Sequence, residues 1–130
     1  MRIGDAARLS GLTVKTVRYY ADIGLVEPER RHDSQYRDYD DADIRRLGFV
    51  RRAREFGFSI ETCRDLLELY ADRDRNAAEV KAITLEHLTI VKAKLQELQL
   101  LHDELQQLAD RCLGGDRPDC PILAAFAGEK

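Results

Sequence analysis

The 130-residue chain has no apolar run approaching the roughly 20 residues that cross a bilayer. Its start, Met1-Arg2-Ile3-Gly4-Asp5, carries no apolar stretch of the secretory kind. Both absences lead us to expect a cytoplasmic protein with no membrane partner. Cysteine is scarce, at Cys63, Cys112 and Cys120. An odd number in a cytosolic chain does not describe a disulfide framework, which leaves thiols that pack in a core, bind a metal or respond to oxidation. No nucleophile–base arrangement and no phosphate-cradling glycine loop is present, so an enzyme is the least supported class. Positive charge is not in excess either. The net charge of −3, taken alone, argues against a nucleic-acid binder.

The distribution of charge reverses that last reading. Residues 1–58 hold 12 Arg/Lys against 10 Asp/Glu, and residues 59–130 hold 9 against 14. A local basic face matters more for phosphate contact than the global sum. The rest of the composition, 35% charged and 44% hydrophobic, is that of an ordinary folded protein.

Helix signals dominate. A short helix is expected near 4–10, broken by Gly11. Thr13 is a good N-cap for a second, near 14–23, which Gly24 closes. Two short helices joined by a tight glycine turn read as a helix-turn-helix. Residues 26–40 suit a two-stranded wing, with its loop near Asp33-Ser34-Gln35. Asp40 with Asp43 can open a third helix that Gly57 ends, and Ser59 caps a fourth.

The longest element begins near Asn76, which with Glu79 has the spacing of a capping box. Positions 80, 84, 87, 91, 94, 98, 101, 105 and 108 form a heptad seam, strongest in its C-terminal half, and residues 77–113 contain no Gly or Pro. A helix of about 45–50 Å, at ~1.5 Å per residue, cannot bury such a stripe within so small a chain. A coiled coil with a second copy is the simplest answer, so we expect a homodimer. The expected architecture is therefore mainly α. A winged helix-turn-helix DNA-binding domain (1–70) precedes a long antiparallel coiled-coil dimerisation helix (76–111), then a metal-binding loop with a short terminal helix (112–130).

Lys15 and Arg18 lie three apart on the second helix and share the face that would enter a major groove. Tyr20 can offer its hydroxyl to phosphate. The wing contributes Arg31, Tyr36, Arg37 and Tyr39, and Arg54 extends the basic surface along with its neighbours Arg51 and Arg52. In combination, Thr16-Val17-Arg18-Tyr19-Tyr20, Gly24-Leu25-Val26, Tyr36-Arg37-Asp38-Tyr39 and Ala53-Arg54-Glu55-Phe56-Gly57-Phe58-Ser59 resemble the DNA-binding domain of the MerR family. The resemblance extends through the long helix. It implies a dimer seated on double-stranded promoter DNA with an overlong spacer, which it bends and untwists so that RNA polymerase engages both promoter elements. Gln35 stands where that family usually has glycine.

Cys112 and Cys120 are separated by seven residues that include two glycines and a proline. Such a loop can curl to bring both sulfurs to one point. Thiolates are soft ligands that favour copper(I), zinc or similar ions. A closed zinc site wants four ligands, and the loop contains no His and no third Cys. Two thiolates alone suit a roughly linear site for a monovalent d10 ion. The loop, including Asp119-Cys120-Pro121-Ile122, is similar to that of the copper-efflux branch of the same family, which implies Cys112 and Cys120 as the metal ligands. In that family divalent sensors add a cysteine at the start of the long helix, where Ala77 stands here. The resemblance thus implies Cu(I), with Ag(I) or Au(I) chemically equivalent, and efflux genes as targets. Cys63 reads as structural, and His87 and His102 as surface or interface residues. The competing readings are a zinc, mercury or thiol-oxidation sensor on the same scaffold, and a non-sensing architectural DNA-binding adaptor.

Overall fold

The computed structural model describes residues 1–30, 36–115, 118 and 120–129. The elements run α1 (Ile3–Ser10), α2 (Val14–Asp22), β1 (Glu29–Arg30), β2 (Arg37–Asp38), α3 (Asp41–Glu55), α4 (Ile60–Ala71), α5 (Ala77–Arg111) and α6 (Pro121–Phe126). The expected wing loop, with Arg31 and Gln35, lies outside the described residues.

Local chemistry explains most boundaries. Thr16 donates its amide to Thr13 Oγ1 at 3.1 Å, and Thr62 does the same to Ser59 Oγ at 3.1 Å, so a hydroxyl starts both α2 and α4. α3 opens with a reciprocal box, Asp43 N to Asp40 Oδ1 at 2.8 Å and Asp40 N to Asp43 Oδ2 at 3.0 Å. Asn76 caps α5 in a different manner from the box expected of it. Its Oδ1 accepts from Ala78 N at 2.9 Å, the second helical residue rather than the third. Gly11, with φ 77°, turns the chain sharply between α1 and α2, a conformation cheap only for glycine. β1 and β2 pair antiparallel, Glu29 opposite Asp38 and Arg30 opposite Arg37.

The chain forms two units, 1–83 and 84–130. The core of the first draws on all four helices before α5 and on residues flanking the hairpin. Ala6 and Ala7 come from α1, Val17 and Tyr20 from α2, Leu25 and Val26 from the following turn, Tyr39 from beyond β2, Leu47, Val50 and Ala53 from α3, and Cys63 from α4. In the second unit Leu108 is the buried residue of α5, while Leu85, Leu88, Leu95, Leu98, Leu100, Leu101 and Leu105 remain exposed in this single chain. Pro121 occupies the first turn of α6, where its missing N–H costs no hydrogen bond. No helix among the described residues is long and apolar enough to cross a membrane.

Candidate functional site

In the first unit, α2 presents Lys15 and Arg18 outward. Arg18 also lines a groove of about 570 Å³ with Arg2, Ile3, Gly4, Asp5, Tyr36 and Arg37. The Arg2 guanidinium stacks 4.7 Å from the centre of the Tyr36 ring, which is 62% exposed. Arg37 Nη2 bonds Asp22 Oδ1 at 2.8 Å and so ties the wing strand to the last residue of α2. Its Nε is buried without a partner among the described residues. The structure therefore brings three of the candidate DNA-contact residues, Arg18, Tyr36 and Arg37, into one groove. It adds Arg2 and Asp22, which sequence reasoning passed over. The one available signal was that Arg2 directly precedes the first helix.

Tyr20 and Tyr39 are placed differently from the expectation that they face DNA. They are 5% and 1% exposed and belong to the core. Burial pushes both phenols up from their ordinary value. The Tyr39 hydroxyl has no hydrogen-bond partner among the described residues. Arg54 is exposed yet engaged: Nη1 donates to the Phe58 carbonyl at 2.7 Å, and the guanidinium also hydrogen-bonds the Tyr20 side chain. Arg51 Nε donates to the Ser10 carbonyl at 2.9 Å and Nη1 pairs with Glu55 at 2.8 Å. These arginines thus face oxygen atoms of the domain itself.

In the second unit, Cys112 follows the end of α5 and Cys120 precedes α6. Both are half-buried free thiols. Gly114 and Gly115, at φ 71° and 83°, curl the chain back after Cys112. The Cys120 thiol is held below its ordinary value. The main cause is the Leu123 backbone N–H at the start of α6, opposed by burial and aided by the Ile122 N–H and the nearby Cys112 side chain. The Cys120 side chain makes no capping hydrogen bond to α6. Two thiols near enough to influence one another, one held below its ordinary value, fit a soft cation. Among the described residues no group of three or more His, Cys, Asp or Glu stands together. Cys63 is fully buried, and burial pushes its thiol up, as befits a packing residue. His102 Nδ1 lies 3.2 Å from Asp103 Oδ1 on exposed helix surface, and His87 is half-buried.

Comparison with known proteins accords with this geometry. The "MerR HTH family regulatory protein" family model matches residues 1–69, and the "MerR, DNA binding" model matches 44–108. The chain is 50% identical over 123 residues to the transcriptional regulator HmrR of Rhizobium leguminosarum bv. viciae, covering 95% of each. It is 46% identical over 127 residues to heavy metal-dependent transcription regulator 2 of Rhizobium meliloti, covering 98% of this chain and 86% of that one. It is 40% identical over 128 residues to CueR of Salmonella typhimurium, covering 98% and 93%. Among solved structures, the transcription regulator PbrR691 of Ralstonia metallidurans CH34, in complex with lead(II), superposes with a TM-score of 0.79 at 32% identity, covering 97% and 98%. The chain belongs to the MerR family of helix-turn-helix transcription regulators, close to HmrR and CueR, a family of DNA-binding regulators rather than enzymes.

Proposed function

We propose that this regulator is a metal-responsive activator that takes up a monovalent soft ion, Cu(I) first and Ag(I) or Au(I) equivalently, between Cys112 and Cys120. The observation that carries the reading is the adjacency of these two thiols, with no third donor grouped with them among the described residues. Ala77, the first residue of α5, offers no donor where the resemblance places the extra cysteine of divalent sensors. The heavy metal-dependent relative supports the broader class. A divalent ion is the second reading, favoured by the lead(II) bound to PbrR691.

A bound soft ion supplies one thing, a link between two thiolates. The chain does the rest. The Leu123 and Ile122 N–H groups lower the proton affinity of Cys120, which eases loss of its proton on binding. Closure of the loop orders α6, whose Leu123 and Phe126, 65% and 69% exposed here, then pack together with Leu113, which is 92% exposed. Burial of that apolar surface favours one conformation of the dimer. The coupling is as large as the ion's preference for that conformation and no larger.

On the DNA side, Lys15 and Arg18 reach base edges or phosphates from α2, while Tyr36 and Arg37, with Arg31 of the wing, ride the backbone. Tyr20, Tyr39 and Arg54 hold that surface in shape. Two chains join through α5, and RNA polymerase responds to the distorted promoter in the cytoplasm.

Titration of the reduced protein with Cu(I) against a thiol-competing chelator, followed by X-ray absorption, tests the reading. Two sulfur scatterers and no further protein donor are expected. Three or more donors, or tighter binding of zinc than of Cu(I), overturn the monovalent assignment in favour of a divalent or structural site.

A further inference from the structure

The α3–α4 hairpin directs guanidinium groups inward, onto the ends of the helix-turn-helix. Arg64, on α4, donates from Nη2 to the Ile23 carbonyl at 3.0 Å and from Nη1 to the Gly24 carbonyl at 3.0 Å. These oxygens lie immediately past the last residue of α2. Within the last turn, Tyr19 O accepts from Ile23 N, Tyr20 O from Leu25 N and Ala21 O from Gly24 N; Arg64 takes the two carbonyls just beyond, where the helix dipole favours a cation. Gly24, with φ 71°, reverses the chain at this point. A planar fork grips two such oxygens at once, which a lysine point charge does not reproduce.

Arg51 acts in the same way on α1, donating to Ser10 O. A Cβ added to the neighbouring Gly11 would stand 3.1 Å from Arg51 Nε, so the two are closely fitted. Each helix of the pair is therefore held at its C-terminal end by an arginine some 40 residues away in sequence.

We propose that Arg64 is a positioning residue for sequence-specific reading. It fixes the C-terminal end of α2 against α4 and thereby sets the tilt with which Lys15 and Arg18 meet the bases. The proposal rests on α2 being the recognition helix. Base-edge bonds demand close geometry, whereas phosphate contacts tolerate small rotations, so loss of the fork falls on discrimination rather than on general grip.

The test uses the full-length chain, a duplex selected by the wild-type protein from a random library, and a scrambled duplex. Fluorescence anisotropy is read across a salt series, at a temperature where circular dichroism shows each variant folded. Arg64→Gln should lose about tenfold in affinity for the selected duplex, the value of roughly one charge-assisted hydrogen bond. Binding to the scrambled duplex and the salt slope should not change. Arg64→Lys, which keeps the charge and most of the stem, should lose about threefold in the same pattern, and it carries the test alone if the glutamine variant does not fold.

Wild-type affinity for the selected duplex in the folded variants overturns the proposal and leaves Arg64 a stabilising residue only. A salt slope reduced by about 0.9 per subunit also overturns it, because Arg64 would then be a phosphate contact. If Arg18→Ala retains full preference for the selected duplex, the recognition-helix reading itself fails, independently of Arg64.

Discussion

Replacement of Leu98 by alanine gives a quantitative test of the dimer seam. Leu98 is 62% exposed in the single chain, on the face expected to meet a second copy. Full burial of a leucine contributes about 1.5–3 kcal/mol, so covering the exposed part contributes about 1–2 kcal/mol. Alanine keeps the β-carbon, which places the loss near the lower figure. Two-fold symmetry counts each substitution twice, so the dimer loses about 2 kcal/mol, and its dissociation constant rises about thirtyfold. Leu100 serves as the internal control. It is 70% exposed, but two residues on is about 200° around the helix, which takes it off the seam. Sedimentation velocity on a dilution series should show Leu98→Ala dissociating at higher concentration than wild type and Leu100→Ala unchanged. Equal behaviour of the two variants, or a wild-type chain that is monomeric at all concentrations, would refute the seam.

Four further outcomes follow from particular atoms. Tyr39→Phe removes a buried hydroxyl that has no partner among the described residues, and should leave stability unchanged or raise it by about 1 kcal/mol in a thermal melt, with operator affinity intact; a loss of affinity would return this tyrosine to the DNA surface. Tyr20 and Tyr39 have folded phenol values raised above 10.0, so their contribution to stability is complete below pH 10 and lost as pH rises through the folded values, and alkaline unfolding should be delayed in Tyr39→Phe. Gly11→Ala combines a φ of 77° with crowding against Arg51 and should cost about 1–2 kcal/mol, whereas Gly24→Asn, in open space, should cost less; equal melting temperatures would contradict the crowding. Iodoacetamide should label Cys120 at a lower pH than a free thiol requires and leave Cys63 unmodified in the folded protein, as followed by peptide mass spectrometry.

Features encoded by close neighbours were legible in the sequence. Thr13, Asp40 and Ser59 each cap a helix by a bond spanning three residues, and Gly11 and Gly24 sit at left-handed turns, so pattern alone located them. The thiol pair was legible by residue type and spacing. The bias of Cys120 toward thiolate was not, because it depends on the backbone of α6. The tyrosines show where reading by type stops. Tyr19 and Tyr20 are adjacent, yet the first is 51% exposed and the second 5%, since about 100° of helical rotation turns one outward and the other into the core. Arginine was the harder case. Arg37 to Asp22 and Arg64 to the end of α2 join residues 15 and about 40 apart, and no local signal tells a guanidinium that meets a phosphate from one that meets a distant carbonyl.

The inward-facing arginines bear on how this protein searches a chromosome. Guanidinium groups bonded to the protein's own carbonyls are absent from the ion exchange that holds a protein to arbitrary DNA. Arg51 and Arg64 are spent in this way, so the grip on arbitrary duplex draws on fewer guanidinium groups than the sequence contains.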